Sequence, residues 1–253
     1  MEQHVKTRPD APAGFFAAEA AGLRWLAEAG GARIAEVIEV ADRRIVLERI
    51  AEARPSAEAA DAFGAALAAT HDAGAEAFGS PPPGWAGDIF IGSRPQPARP
   101  KPTWGVFYAA QRVEPFVPIA LAAGNLSASG AEVVDRACAL IAAGAFDDDE
   151  PPARLHGDLW AGNVLWGEEG VVLIDPAAQG GHRETDLAML ALFGCPFLER
   201  IVDAYDRVRP LRDGWSERVP VHQLHPLAVH AAGHGPSYGR ALVDAAEQTL
   251  ALG

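Results

Sequence analysis

Between His156 and Trp166 the chain reads HGDLWAGNVLW, and the residues that follow leave the backbone few options. Val164, Leu165 and Trp166 form one short run of β-branched, aliphatic and aromatic residues. Val171, Val172, Leu173 and Ile174 form a second, and Gly167, Glu168, Glu169 and Gly170 lie between them. Two apolar runs around a glycine-bounded turn predict a β-hairpin. A hairpin folds its ends together, so Asn163, just before the first strand, and Asp175, just after the second, are brought to one place. Asp158 lies five positions ahead of Asn163 in the same loop. A lone Asp in a loop is usually a turn former or helix cap; three polar groups delivered to one end of a small sheet call for a chemical reason.

Phosphoryl transfer supplies one. It asks little covalent work of a protein: an acceptor hydroxyl held in line with a γ-phosphate, a base for its proton, and divalent cations to neutralise charge on the phosphate oxygens. Magnesium keeps several waters and needs few protein ligands, all of them hard oxygens. An Asp followed five residues later by an Asn, with another Asp after a strand, is the order in which kinases present these groups. Asp158 fits the base, and Asn163 and Asp175 fit the metal ligands.

Composition narrows the field around this core. A net charge of −13 over 253 residues argues against a general nucleic-acid or membrane surface, so any phosphate binding must be local. No run of about 18 apolar residues and no signal peptide is visible, and a cytoplasmic location is expected. Cys138 and Cys195 are far apart, without metal-ligand spacing, and read as buried reduced thiols. The length suits one or two domains with a large core.

Elsewhere the pattern is mostly helical. Phe16, Glu19, Leu23 and Leu26 fall on one helical face, which places a carboxylate in an apolar stripe and calls for a cation beside it. Ala35 to Val40 and Arg44 to Ile50 read as strands joined by a tight connection, and Ala57 to His71 as a helix. Phe78 to Thr103, dense in Pro and Gly, reads as an ordered surface loop. Further helices are predicted from Trp104 and over Val133 to Ala142. His230 and His234 have a zinc-like spacing, but no acidic residue lies between them and no third ligand is evident.

The run HGDLWAGNVLW, with LIDPAAQGGHRETDLAMLALFG after it, closely resembles the fructosamine (ketosamine) kinases, a branch of the protein-kinase-like superfamily near the aminoglycoside phosphotransferases and choline kinases. Those two groups share the general HGDxxxxN pattern; Trp160 and the downstream GHRETDLAM make the likeness more specific. It continues through FIGSRPQP at Phe90 to Pro97, Trp104 to Phe107, Gly214-Trp215 and QLHPLAVH at Gln223 to His230. The resemblance implies a kinase-like two-lobed α/β fold, with a small nucleotide-binding lobe over residues 1–50 and a mainly helical large lobe over 51–253. It also implies ATP and magnesium as cofactors and a small-molecule or protein-bound ketosamine as acceptor, phosphorylated on O3 of the sugar so that the adduct then breaks down and frees the amine.

Residue by residue, Lys6 matches the lysine that meets the α/β-phosphates and Glu19 the helix carboxylate that steadies it. Leu47 to Ile50 matches the hinge whose backbone, at Glu48 and Ile50, would hold adenine. His156 would shape the catalytic loop and Asp186 brace its backbone, while Trp160 and Trp215 would face the acceptor. Only five residues precede Lys6, so the two strands and glycine-rich turn that would cover the phosphates are missing, and a truncated small lobe with an open-topped nucleotide site is expected. The rival expectations are a kinase for an aminoglycoside or choline-like hydroxyl, and a kinase-like protein that binds without turnover.

Overall fold

The computed structural model describes residues 2–253. Strand β1 (Gln3–Thr7) leads through a turn to Gly14, in the left-handed region at φ 79°, and into helix α1 (Phe15–Ala27). This helix buries Phe16, Leu23 and Leu26 with Glu19 among them, as the spacing predicts. Strands β2 (Arg33–Ile34), β3 (Val37–Ala41) and β4 (Arg44–Glu48) follow. β3 and β4 pair antiparallel across the Asp42-Arg43 turn, and β4 pairs on its other side with β1, giving the order β1-β4-β3. Both hairpin strands are shorter than predicted. Ala35 donates its N–H instead to Leu173 O at 3.0 Å, continuing the pairing of β2 with a strand from the middle of the chain.

Helix α2 (Ala57–Asp72) starts where Ser56 accepts the N–H of Ala59, a side-chain cap for one of the orphan donors of the first turn. The segment from Phe78 to Thr103 departs from the expected surface loop. It contains a hairpin, β5 (Ile89–Ile91) and β6 (Arg94–Gln96), with Ile89, Ile91 and Gln96 buried. Gly92, at φ 54°, occupies the first position of the two-residue turn, where a primed hairpin turn requires positive φ. Strands of three residues carry no periodicity signal, and Pro95 is tolerated because a two-stranded ribbon is all edge.

Helix α3 (Trp104–Tyr108) passes through a π turn (Ala109–Val113) and a 3-10 turn (Glu114–Phe116) into α4 (Val117–Ala122). Pro115 and Pro118 lack amide hydrogens, which interrupts the regular ladder here. Helix α5 (Ala128–Ala142) is capped by Ser127 and begins earlier than predicted. After β7 (Ala153–Leu155) comes the HGDLWAGN loop. The predicted hairpin then appears as β8 (Val164–Gly167) and β9 (Gly170–Leu173), with Val164 opposite Leu173 and Gly167 opposite Gly170. β9 is also the parallel partner of β2, and β10 (Gln179–Gly181) pairs with β7. Helices α6 (Glu184–Leu192), α7 (Leu198–Val208), α8 (Trp215–Ala231) and α9 (Pro236–Leu252) complete the chain.

Two apolar cores hold these elements. One gathers α3, α5, α8 and α9 with the β5–β6 hairpin. The other joins Phe16, Leu23 and Leu26 of α1 to Leu67 of α2, Leu173 of β9 and Leu187 of α6, so residues on both sides of residue 50 share it. Cys138 and Cys195 are buried free thiols, and among the described residues no helix is long and apolar enough to cross a membrane.

Candidate active site

The loop after β7 is shaped by one buried carboxylate. Asp186 accepts the backbone N–H of His156 at 2.7 Å and of Gly157 at 3.0 Å, and its Oδ2 lies 3.2 Å from His71 Nε2. It sits inside the first turn of α6, whose N-cap position is held by Arg183, so it braces the loop rather than capping its own helix. Burial works against its charge, but these hydrogen bonds hold its pKa below the usual carboxylate range. Gly157 has φ 80°, and a Cβ there would fall 2.1 Å from Ala177 O, so only glycine fits. His156 takes a structural part: its Nε2–H donates to Ile174 O at 2.9 Å and its Nδ1 accepts the N–H of Asp158 at 3.2 Å. Burial lowers its pKa, which keeps the ring in this neutral tautomer.

On that brace the three predicted groups converge. Asn163 donates from Nδ2 to Asp158 O at 2.7 Å, to Asp158 Oδ2 at 3.2 Å and to Asp175 O at 3.4 Å. Its Oδ1 accepts nothing from the protein among the described residues. Asp175 lies just past β9 at φ 55°, a left-handed conformation that Asp tolerates better than most residues and that sets its side chain at the end of the hairpin. Desolvation raises the pKa of Asp158 to about 7; the Asn163 hydrogen bond opposes the shift, and the charges of Asp175 and Asp186 add to it.

Lys6 closes the site from β1. Its ammonium is 2.7 Å from Glu19 Oε1 and 2.7 Å from Asp175 Oδ1. Burial alone would lower its pKa, but the two carboxylates outweigh that and hold it above the ordinary value. Glu19 thereby has the cation its apolar surroundings demand.

These residues face a cavity of about 550 Å³ that Lys6, Asp158, Asn163 and Asp175 line together with Trp160. Trp160 is 41% exposed, meets Phe193 edge-on at 6.2 Å between ring centroids, and lies over Gly162, where a Cβ would come within 2.2 Å of the indole. Other residues assigned from sequence lie elsewhere. Glu48 and Ile50 are outside the cavity lining; the Glu48 carboxylate accepts from Arg33 at 2.9 Å and from the Glu36 N–H at 3.1 Å, and its own N–H donates to Glu36 O. Trp215 opens α8, whereas Val229 and His230 at the other end of that helix line the cavity, roughly 20 Å away at 1.5 Å per residue.

The lining also includes residues to which sequence reasoning gave no role: Phe15, Phe90, Arg94, Phe193, His230 and His234. Phe90 and Arg94 lie in the FIGSRPQP motif and His230 in QLHPLAVH, but the β5–β6 hairpin that places Phe90 and Arg94 was not visible in the sequence. His230 donates from Nδ1 to Pro226 O at 2.8 Å, and burial lowers its pKa, so it is neutral. Away from the cavity, His182, Glu184 and His222 stand close enough together for a metal. Their atoms are already spoken for: Glu184 takes the Arg218 guanidinium at 2.6 Å, His222 Nδ1 meets Thr185 Oγ1 at 2.9 Å, and His182 Nε2 meets Asp148 at 3.2 Å. An adjacent guanidinium makes this an ion-pair network rather than a cation site.

Relatives share both the sequence and the fold. The fructosamine kinase family profile matches residues 2–251. A protein of Thermus thermophilus described as a probable ketoamine kinase is 34% identical over 238 residues, covering 94% of this chain and 84% of its own. One of Enterococcus faecium with the same description is 31% identical over 240 residues, covering 93% and 83%. The crystal structure of a fructosamine-3-kinase candidate from Thermobifida fusca superposes with a TM-score of 0.91 at 48% identity, over 98% of this chain and 85% of that one. A choline/ethanolamine kinase family protein from Mesorhizobium loti, at 19% identity and a TM-score of 0.58 over 100% of this chain and 82% of that one, shares the kinase-like fold. By sequence and by fold, this chain belongs to the fructosamine kinase family.

Proposed function

We propose that this protein transfers the γ-phosphate of ATP to the O3 hydroxyl of a ketosamine, the rearranged adduct of a reducing sugar with an amine. The phosphorylated adduct then decomposes and releases the amine, so the reaction is a deglycation. The observation that carries this reading is the convergence of Lys6, Asp158, Asn163 and Asp175 on one cavity. In the reaction the sugar oxygen forms a bond to phosphorus as the bond to the β-phosphate oxygen breaks, ADP leaves, and the hydroxyl proton passes to a carboxylate oxygen of Asp158. A base with a pKa near 7 is matched to that transfer at neutral pH. Lys6, held by Glu19, meets the α/β-phosphates with a fixed positive charge.

The donor set also fits magnesium: Asn163 presents a carbonyl oxygen free of protein donors, and Asp175 is 41% exposed with one carboxylate oxygen beyond the Lys6 contact. Asn163 and Asp175 would hold the ion, which supplies charge neutralisation on the phosphate oxygens. Trp160 offers an aromatic face to the sugar. The net charge of −13 supports an acceptor other than nucleic acid or a membrane surface, and two free buried thiols suit a reducing cytoplasm.

The test is direct. The chain is assayed for magnesium-dependent ATP consumption with fructosamine and ribulosamine acceptors, and Asp158→Ala and Asp175→Ala are each expected to reduce turnover on the order of 10²-fold or more. Near-normal turnover in either variant overturns the reading.

A further inference from the structure

One cation in the cavity has no part in phosphoryl transfer. Arg94 lines the wall built by the β5–β6 hairpin and the end of α8. Its one protein acceptor among the described residues is Ala232 O, 2.9 Å from Nη2, and no carboxylate among them lies within ion-pair distance. The carboxylates of the lining are otherwise engaged: Glu19 and Asp175 hold Lys6, and Asp158 is tied to Asn163. The groups sharing the wall with Arg94 are Phe90, Ser93, His234 and the neutral His230, none of which carries negative charge.

The guanidinium is also placed. Arg94 closes the hairpin turn opposite Ile91, and the chain folds beneath it at Gly233, where a Cβ would lie 2.8 Å from Nη2. One N–H of five is taken by Ala232 O, which leaves donors on the planar fork for a ligand. A carboxylate matches that fork in shape and charge.

A ketosamine has two ends. Its sugar must reach Asp158, and its amine portion must occupy another part of the same cavity. Building on the kinase reading above, we propose that Arg94 is the specificity-determining residue for the amine portion and binds a carboxylate on it, so the favoured substrates are ketosamines of free amino acids rather than of neutral amines or of lysine side chains in proteins.

The experiment uses matched acceptors: fructose adducts of glycine, β-alanine and 4-aminobutyrate, each beside the adduct of the corresponding amide. For at least one pair, kcat/KM is expected to favour the carboxylate by about 10- to 100-fold, the range of a charge-assisted hydrogen bond. Arg94→Gln should bring that ratio close to one through the acceptor KM, with the KM for ATP unchanged. Arg94→Lys, which keeps the charge and loses the fork, should fall between, and it gives the reading if the Gln variant does not fold. Gly233→Ala, which pushes the guanidinium aside without altering charge, should also reduce the ratio. Equal use of carboxylate and amide by the natural chain, or a preference that survives Arg94→Gln, overturns the proposal and leaves Arg94 as a tie to the end of α8. Failure to phosphorylate any of the six adducts or their ribulose counterparts overturns the kinase reading and this inference with it, an outcome distinct from turnover of both members of a pair at equal rates.

Discussion

The ammonium of Lys6 sits 2.7 Å from a carboxylate oxygen of Asp175, a residue 169 positions further along the chain. The same nitrogen is 2.7 Å from Glu19. One lysine therefore joins the edge strand β1, the helix α1 and the end of the β8–β9 hairpin, and the charge proposed to meet phosphates also balances a carboxylate that the apolar face of α1 would not otherwise accept.

This double duty separates stability from catalysis. Lys6→Met should lower turnover by about 10²- to 10³-fold, the scale of a lost electrostatic contact to a transition state. It should also lower unfolding free energy by about 1 to 3 kcal/mol, because Glu19, only 9% exposed, loses its cation. Adding Glu19→Gln removes the stranded charge, so the double variant should regain most of the stability and none of the activity. Urea unfolding of the two single variants and the double variant measures the coupling; recovery of activity with stability would mean that Lys6 serves the fold alone.

As the proposed base, Asp158 should make the reaction pH-dependent. A base must be ionised, and this one has its pKa raised to about 7, so kcat/KM for the acceptor should climb with pH along a limb with its midpoint near 7 and level off above it. Asp158→Asn should leave a flat residual rate across the same range. A limb that persists in the Asn variant would assign the titration to another group.

The sequence announced some of this site and was silent on the rest, for reasons that differ by residue. Asn163 and Asp175 were legible because a local hairpin with a clear pattern delivers them, and the observed register has the predicted turn. Glu19 was legible because helical spacing put a charge where only a partnered charge survives. The identity of that partner, Lys6, is a long-range contact, and only the likeness to known kinases supplied it. That likeness also set Trp215 at the acceptor, whereas the opposite end of α8 faces the cavity: a motif marks a helix without saying which turn meets the ligand. Arg94 and Phe90 were hidden because three-residue strands set in a segment dense in Pro and Gly look like loop until tertiary packing pairs them. The bracing role of Asp186 rests on backbone donors that leave no trace in side-chain patterns, so it too came only from the likeness to known kinases.

Trp160 and Gly162 act as a pair. The indole lies over Gly162, and a Cβ there would approach it to 2.2 Å, so Gly162→Ala has to move the ring. If the ring packs on the sugar, Trp160→Ala should raise the acceptor KM by the equivalent of about 1 to 3 kcal/mol with little change for ATP, and Gly162→Ala should produce a similar, smaller effect. Equal losses for both substrates in kinetic assays would instead identify a ring that only anchors the loop.

The buried network of Glu184, His222 and Arg218 predicts where acid unfolds the protein. Burial lowers the pKa of His222 from its ordinary 6.5 to about 4, so the unfolded chain binds a proton there before the folded one does, and stability should fall as pH drops from about 6.5 to 4. Glu184 shifts in the same direction for another reason: burial opposes its charge, but hydrogen bonds from His222 and Arg218 prevail and hold it at about 2 against an ordinary 4.5. Its contribution is full above 4.5 and is lost as pH falls towards 2, a span worth on the order of 3 kcal/mol for a group this buried. Urea midpoints at pH 7, 5 and 3 should therefore decline in two stages. Glu184→Gln should start from a lower midpoint at pH 7 and show a shallower decline below 4.5, while Asp61→Asn, at an exposed ion pair with Arg200, should leave the profile close to that of the natural chain. A Glu184→Gln profile parallel to the natural one down to pH 3 would show that the network contributes nothing to acid stability.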